Sequence, residues 1–290
     1  MKSRTFVLPT LLVIISGNCS PLFAADPPTE IPFKLYAGFA IVVRGAFGNQ
    51  DNLNILVDTG AVPSVVHQRL ARKLNLSGPR EDIAVVSQSR SLERVALPQL
   101  RLGLLEFPSV SAVVLDLAPI ESRLGLRLDA IIGLDVLGRQ DFTIDYRQRK
   151  ILFGAAAAGE AIPFELRSEA GAPYVVVRMA MNSQIVRLLV DTGADGITLF
   201  AARFQGRIPA LQSSGARKDV NAGGEYAVAR VQLAEVRLGG MQRGKRQATM
   251  VETAASALRD FDGMLGPTSL GITRMAFDFR SNNLYLEVNR

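Results

Sequence analysis

Residues 55–61 read Ile-Leu-Val-Asp-Thr-Gly-Ala, and residues 188–194 read Leu-Leu-Val-Asp-Thr-Gly-Ala, 133 positions further along the chain. In both places a short apolar run ends abruptly at Asp-Thr-Gly, which is the pattern of a buried strand that stops at a turn. A single Asp-Thr-Gly would carry little information in a chain of 290 residues. Two of them in matching apolar contexts indicate an internal duplication that keeps one carboxylate in each copy.

Further matches at the same offset extend the repeat well beyond these two turns. Residues 129–133 (Asp-Ala-Ile-Ile-Gly) correspond to residues 262–266 (Asp-Gly-Met-Leu-Gly). Residues 145–147 (Asp-Tyr-Arg) correspond to residues 278–280 (Asp-Phe-Arg). Because several separate segments keep one offset, the two halves of the chain are expected to share one fold.

The repeat divides the chain into two homologous lobes, residues 31–153 and 162–290, joined by the Gly- and Ala-rich linker 154–161. Each lobe contains many short β-rich runs separated by turn residues, with little helical periodicity. This pattern predicts an all-β protein built from two small barrels related by a pseudo-twofold axis. The hydrophobic content of 48% is high enough for each lobe to bury its own core.

Local patterns predict one helix and two hairpins near the repeated motifs. Apolar residues three to four positions apart predict a short helix over residues 65–74. A hairpin is expected to turn at residues 87–90, and a second hairpin is expected at the comparable place in lobe 2. Glycines would let the tip of the second hairpin adopt positive φ and move, so its candidate flap residues are Gly223, Gly224 and Tyr226.

The first 24 residues have the features of a secretory signal peptide. A basic start with Lys2 and Arg4 precedes a short apolar run, and small residues ending at Ala24 precede the Pro-rich stretch 26–30. Export to the periplasm or the medium is therefore expected, with a lipoprotein attached through Cys19 as the alternative. The apolar run is shorter than the roughly 20 residues that a membrane span needs, so stable membrane insertion is not expected.

Cysteine and histidine usage argues against several kinds of site. Cys19 is the single cysteine and falls in the signal peptide, so the mature chain would have neither a disulfide nor a cysteine nucleophile. His67 is the single histidine, whereas zinc sites usually need several His or Cys ligands and a Ser-His-Asp triad would depend on this residue alone. We expect His67 to be a surface or helix residue, and we expect neither a metal nor an organic cofactor.

The positive charge gives no reason to expect a nucleic-acid partner. The net charge of +6 falls to +4 when the two basic residues of the signal peptide are removed. The remaining basic residues are mostly dispersed arginines, and the densest cluster, residues 243–246, fits a solvated turn between strands.

The two turns and the later apolar-apolar-Gly segments resemble those of the retropepsin-like aspartic proteases. The chain is similar to a duplicated, single-chain member of bacterial type with a pepsin-like, two-lobed arrangement, and the similarity covers about residues 31–288. This resemblance implies two acid-protease β-barrels that bring Asp58 and Asp191 together as the catalytic pair. Two adjacent carboxyls cannot both ionise cheaply, so they would share one proton and activate a water molecule between them.

The same resemblance implies supporting roles for the residues around the two acids. The threonine hydroxyls would bond to the backbone of the opposite lobe, and the glycines would let backbone amides approach the carboxylates. The later segments would pass behind the catalytic turns and hold them. These residues are Thr59, Gly60, Thr192 and Gly193 in the turns, and Ile132, Gly133, Leu265 and Gly266 in the later segments.

The chain departs from the family pattern at positions that affect the two acids, including the pKa of their carboxyls. Ala61 and Ala194 follow the glycines where pepsin-like enzymes commonly carry Ser or Thr, and loss of that hydroxyl donor would raise the pKa of the carboxyls. We therefore expect an optimum of about pH 4.5–6.5, less acidic than that of a gastric-type protease. Leu134 or Pro267 follows the later glycine where arginine is common, which argues against an arginine brace beside Asp195.

The remaining acidic residues lack the features of the two motif aspartates. Those that repeat in register have no apolar strand and glycine around them and are expected to be structural; they are Asp129, Asp262, Asp145 and Asp278. Asp135 and Asp195 have no counterpart in the other copy.

Together these features predict an exported, monomeric aspartic endopeptidase that binds an extended polypeptide in the cleft between the lobes by β-strand addition. The alternative is a non-catalytic peptide-binding or chaperone-like module on the same fold. A third arrangement, in which the two acids meet only between chains, stays open at this point. The sequence also leaves open which lobe closes over the substrate.

Overall fold

The computed structural model describes residues 29–85, 88–154, 158–169, 171–182, 184–204, 213–221, 224–251 and 261–289. The predicted signal peptide, Cys19 and Gly223 lie outside these residues. Within the described part of the chain, no helix has the length and hydropathy needed to cross a bilayer.

Lobe 1 consists mainly of short strands, as the turn-rich sequence predicts. Its described elements are β1 (Thr29–Tyr36), β2 (Ala40–Phe47), β3 (Gln50–Val57), β4 (Val65–His67), α1 (Gln68–Lys73), β5 (Arg80–Val85), β6 (Gln88–Leu97), β7 (Leu100–Leu102), β8 (Leu105–Phe107), β9 (Val110–Leu115), α2 (Ala118–Leu124), β10 (Ala130–Ile132), α3 (Leu134–Leu137), β11 (Phe142–Asp145) and β12 (Lys150–Phe153).

Lobe 2 repeats this order. Its described elements are β13 (Glu160–Glu169), β14 (Ala172–Met181), β15 (Gln184–Val190), β16 (Ile197–Phe200), α4 (Ala201–Phe204), β17 (Ser213–Asn221), β18 (Gly224–Leu233), β19 (Val236–Leu238), β20 (Met241–Arg243), β21 (Arg246–Val251), β22 (Gly263–Leu265), a 3-10 helix (Pro267–Leu270), β23 (Ile272–Asp278) and β24 (Asn283–Val288). The protein is therefore all-β with two lobes.

The strands that end in Asp-Thr-Gly occupy the same place in both lobes. β3 runs parallel to β10, and β10 also pairs antiparallel with β4. In lobe 2, β15 runs parallel to β22, and β22 pairs antiparallel with β16. Ile55, Val57, Leu188 and Val190 are 1% exposed or less, so the apolar runs before the two acids form buried strands.

An antiparallel sheet joins the two lobes. Its strands lie in the order β1, β12, β11, β23, β24 and β13. The central pair places Phe142 opposite Phe277, with stacked rings whose centroids are 4.6 Å apart. Both rings are 1% exposed, so burial of these aromatic faces stabilises the junction. β13 begins at Glu160, inside the predicted linker, because residues 160–163 pair with β24 in this sheet.

The helix predicted over residues 65–74 begins later than expected. Residues 65–67 form β4, which pairs with β9 and β10, and α1 begins at Gln68. Val65 and Val66 are buried between these two strands, a position that suits β-branched side chains better than a helix does.

A long hairpin occurs at the same place in each lobe, β5–β6 in lobe 1 and β17–β18 in lobe 2. The turn predicted at residues 87–90 is wrong, because β5 ends at Val85 and β6 begins at Gln88. Residues 88–91 are polar but pair in register with residues 82–85. Backbone ladder bonds, which need no apolar side chains, therefore extend this hairpin beyond the apolar pattern.

Candidate active site

The two Asp-Thr-Gly turns lie against each other where the lobes meet. The Thr59 hydroxyl donates to the Val190 carbonyl oxygen at 2.7 Å, and the Thr192 hydroxyl donates to the Val57 carbonyl oxygen at 3.1 Å. Each hydroxyl also accepts the backbone N–H of the other threonine, at 3.0 and 3.1 Å. Both threonines are 1% exposed or less, so these bonds join the lobes away from solvent.

Asp58 and Asp191 face each other across this junction. The Gly60 N–H donates to Oδ1 of Asp58 at 2.9 Å, and the Gly193 N–H donates to Oδ1 of Asp191 at 2.8 Å. A Cβ on Gly60 would lie 2.6 Å from Cγ of Asp191, and a Cβ on Gly193 would lie 2.5 Å from Oδ2 of Asp58. Each carboxyl thus packs on the glycine of the opposite turn. Both acids come from one chain, so the arrangement in which they meet only between chains is wrong.

The surroundings of the two acids favour one shared proton. Burial raises the pKa of Asp191 well above its ordinary value, and the adjacent Asp58 carboxyl raises it further. Burial also raises the pKa of Asp58, although hydrogen bonds from Asp191 and the Gly60 amide oppose this. Because burial raises the pKa of both acids and the two carboxyls lie side by side, the pair holds one shared proton. The pair therefore presents one acid and one carboxylate.

The later repeated segments support the turns from behind. The Asp58 N–H donates to the Ile132 carbonyl oxygen, and the Asp191 N–H donates to the Leu265 carbonyl oxygen, both at 3.0 Å. A Cβ on the glycine that follows either residue would overlap the carbonyl oxygen of Ala61 or Ala194. Only glycine therefore fits at these two positions of close backbone approach.

Comparison with family models shows to which family the chain belongs. A model described as aspartyl protease matches residues 43–136 and again residues 177–269, so one family pattern covers both halves. The chain belongs to the aspartyl protease family. The double match agrees with the internal duplication and with the retropepsin-like character of each repeat. The search of curated proteins found no match.

The other aspartates that repeat in register stabilise turns and strand ends in this member of the aspartyl protease family. Oδ2 of Asp129 accepts the Asn54 N–H at 2.9 Å, and Oδ2 of Asp262 accepts the Arg187 N–H at 2.9 Å. The remaining pair acts in the turns after β11 and β23: Asp145 accepts the Gln148 N–H, and Asp278 accepts the Arg280 and Ser281 N–H groups.

An arginine brace to Asp195 is present, contrary to the sequence expectation. Arg123 of α2 donates to Oδ2 of Asp195 at 2.8 Å and lies 5.8 Å from the centroid of the Phe39 ring. This ion pair joins lobe 1 to the residue that follows the Asp-Thr-Gly-Ala segment of lobe 2. The arginine comes from α2 and not from the position after the later glycine, where Leu134 and Pro267 stand. The partners are 72 residues apart and belong to different copies, so neither spacing nor repetition could reveal them.

His67, expected to be a surface or helix residue, is a buried residue at the start of α1. It is 1% exposed and caps the N-terminus of α1, with its Nδ1 accepting the Arg69 N–H at 3.1 Å. Burial lowers the pKa of His67, and the Arg69 charge lowers it further, so the neutral ring is favoured near pH 7. Among the described residues, no three His, Cys, Asp or Glu side chains are grouped so that they could hold a metal ion.

Two of the three candidate flap residues, Gly224 and Tyr226, belong to β18 of the β17–β18 hairpin. Gly224 is the first residue of β18, and Tyr226 pairs with Asp219 along the hairpin. Gly223 lies outside the described residues. The equivalent hairpin of lobe 1, β5–β6, contains no glycine.

We expect Thr59→Val to lower the free energy of unfolding by about 2–4 kcal/mol. Valine keeps the shape of threonine but removes the hydroxyl, leaving the Val190 carbonyl and the Thr192 N–H without their partner in a buried place. Thr192→Val should lower the free energy of unfolding by about the same amount, because its bonds mirror those of Thr59. Urea unfolding measures the stability of both variants. Thr59→Ser is the control, because it keeps the hydroxyl and should lose much less stability.

Proposed function

We propose that the protein is an aspartic endopeptidase in which Asp58 and Asp191 activate a water molecule for attack on a peptide bond. The observation that carries this proposal is the packing of each carboxyl on the glycine of the opposite Asp-Thr-Gly turn. A pair of structural turn aspartates would not require two lobes to bring their carboxyls together. Membership of the aspartyl protease family supports the same reading.

In this proposal the shared proton starts on Asp191, whose pKa is raised by burial and raised further by the adjacent Asp58 carboxyl. Ionised Asp58 takes a proton from the water, whose oxygen attacks the carbonyl carbon, while Asp191 gives its proton to the carbonyl oxygen. The product of this step is a neutral tetrahedral diol. Asp58 then passes its proton to the amide nitrogen, Asp191 takes back a proton from one diol hydroxyl, and the C–N bond breaks. The pair ends as it began, with one shared proton and no covalent intermediate.

The proposed substrate is an extended polypeptide in the cleft between the lobes. The two long hairpins, β5–β6 and β17–β18, offer backbone edges at comparable places in the two repeats. An extended chain can pair with such edges while alternate side chains enter pockets. An unfolded polypeptide is therefore a better first substrate than a compact folded protein, whose backbone is already paired.

Incubation of the protein with an unfolded polypeptide over a pH series tests the proposal. Cleavage that is blocked by a statine-type transition-state mimic is the expected result. Binding of the polypeptide without cleavage at any pH would instead support the non-catalytic peptide-binding module. Mass spectrometry of the products would give the cleaved bonds.

Activity is expected to be highest at about pH 4.5–6.5 and to fall on both sides. At lower pH the carboxylate of the pair is protonated, and no base is left to accept the proton of water. At higher pH the shared proton is lost, but burial raises the pKa of Asp191, so this occurs above the range of an ordinary carboxyl. The pH dependence of kcat/KM measures the fall in activity on both sides, and a sharp optimum at about pH 2 would contradict the expectation.

A further inference from the structure

Ser64 and Asp135 form a compact polar contact behind the catalytic turn of lobe 1. The Ser64 hydroxyl donates to Oδ1 of Asp135 at 2.5 Å, and the Ser64 N–H donates to Oδ2 at 3.1 Å. Ser64 is 1% exposed and Asp135 is half-buried, so both bonds are partly shielded from solvent. Because Asp135 accepts two bonds from one residue, its carboxylate fixes both the backbone and the side chain of Ser64.

The same hydroxyl connects this contact to Asp58. Ser64 Oγ accepts the Gly133 N–H at 2.9 Å, and the neighbouring Ile132 carbonyl accepts the Asp58 N–H at 3.0 Å. A Cβ on Gly133 would overlap the Ala61 carbonyl oxygen, so the segment has little freedom to move toward the turn. A continuous chain of contacts therefore runs from Asp135 through Ser64 and Gly133 to the backbone of Asp58.

Lobe 2 holds its own catalytic turn by different means. At the offset of 133 residues, Ser64 and Asp135 correspond to Ile197 and Thr268. There the Gly266 N–H donates to the Gly196 carbonyl oxygen at 2.8 Å, so a backbone group takes the place of the serine hydroxyl. The Thr268 hydroxyl donates to the Asp195 carbonyl oxygen at 3.2 Å and takes no part in that contact.

We propose that Asp135 and Ser64 are positioning residues for Asp58. This Ser64–Asp135 brace restrains the Asp58 turn through a side-chain contact that has no equivalent among the described residues behind the Asp191 turn. The inference rests on the proposed endopeptidase function. Neither residue touches the reacting atoms. The brace fixes the segment behind the Asp58 turn through a side-chain hydroxyl, whereas the equivalent glycine behind the Asp191 turn is held by a backbone carbonyl.

The surroundings of Asp135 agree with a fixed, partly desolvated brace. Burial raises the pKa of Asp135, while the hydrogen bonds from the Ser64 hydroxyl and amide lower it. A hydrogen bond in such a place is stronger than one in water, and its loss leaves polar groups without partners. The Arg139 guanidinium donates to the backbone carbonyl of Asp135 and leaves its carboxylate to Ser64.

Measuring turnover per active site distinguishes a positioning role of the brace from a general effect on stability. The number of active sites in each variant is counted by titration with a statine-type inhibitor, and kcat is expressed per titrated site. We expect Asp135→Asn to lower this kcat about tenfold, because small displacements of a catalytic group are costly. KM should stay within about twofold, since the brace does not touch the substrate. Thr268→Val, which changes the equivalent position of lobe 2, should leave both values near those of the wild type.

A second variant places the residues of lobe 2 in lobe 1. Ser64→Ile combined with Asp135→Thr removes the ionisable group together with the hydroxyl that it orders, and so avoids a buried acid without a partner. A wild-type kcat per titrated site in this variant or in Asp135→Asn would overturn the brace, while leaving the endopeptidase proposal intact. Failure of the wild type to cleave any polypeptide would overturn both proposals.

Discussion

Asp58→Asn and Asp191→Asn are each expected to lower kcat for polypeptide cleavage by about a thousandfold or more. Asparagine keeps the size of aspartate and can still accept the N–H of Gly60 or Gly193. It cannot exchange a proton with water or with the peptide carbonyl. Because each step needs one group that takes a proton and another that gives one, neither acid can substitute for the other.

The folded state should tolerate these two changes. Two adjacent buried acids repel each other when both are ionised, and a neutral amide removes that repulsion. The pair has a raised pKa, so the stability it contributes is present at low pH and is lost as the pH rises through that pKa. Thermal unfolding of either variant should therefore depend less on pH than that of the wild type.

Asp278→Asn is the matched control for these variants. Asp278 repeats in register like the two acids, but its carboxylate accepts backbone N–H groups in an exposed turn. Its replacement should leave kcat within about twofold of the wild type. Full cleavage by Asp58→Asn or Asp191→Asn would show that another group performs the chemistry. Unchanged polypeptide binding by both, with no cleavage by the wild type, would establish the binding module instead.

The second large effect is expected for Gly60→Ala and Gly193→Ala. The added methyl group would lie 2.6 Å from Cγ of Asp191 in the first case and 2.5 Å from Oδ2 of Asp58 in the second. Both distances are well inside van der Waals contact, so the opposite carboxyl must move. Displacement of this order at a reacting group is expected to lower kcat about a hundredfold.

Gly196→Ala provides a matched control only three residues after Gly193. A Cβ at Gly196 would meet no atom within 4 Å, so the same chemical change should leave the activity essentially unchanged. The comparison therefore isolates the steric contact with the opposite acid from any general effect of removing a glycine. Wild-type activity in Gly60→Ala and Gly193→Ala would mean that the two carboxyls need not stay as close as the structure places them.

The features that could be predicted from the sequence are those that occur in both copies of the repeat. The two Asp-Thr-Gly motifs, separated by the repeat offset, indicate the two turns. The later apolar segments indicate the strands behind them. The structure places Asp58 against Asp191, and it forms the expected bonds from the threonine hydroxyls to the opposite lobe. Repetition is informative here because both copies must meet the same packing and hydrogen-bonding requirements at one interface.

The features that could not be predicted occur once. The Ser64–Asp135 brace and the Arg123–Asp195 ion pair each join residues about 70 positions apart, and neither pair has a counterpart at the repeat offset. Their detection needs the fold, because side chains distant in sequence meet only after the strands have been placed. The helix predicted over residues 65–74 failed for a related reason: burial of Val65 and Val66 between strands outweighed their helical spacing.

The most direct test of the account is the stoichiometry of a tight-binding statine-type inhibitor, measured by calorimetry on wild type, Asp58→Asn and Asp191→Asn. The account predicts one inhibitor bound per wild-type chain, with loss of proteolysis at the same ratio and much weaker binding to both variants. One inhibitor per two chains, or equally tight binding to the variants, would contradict a site made from both acids of a single chain.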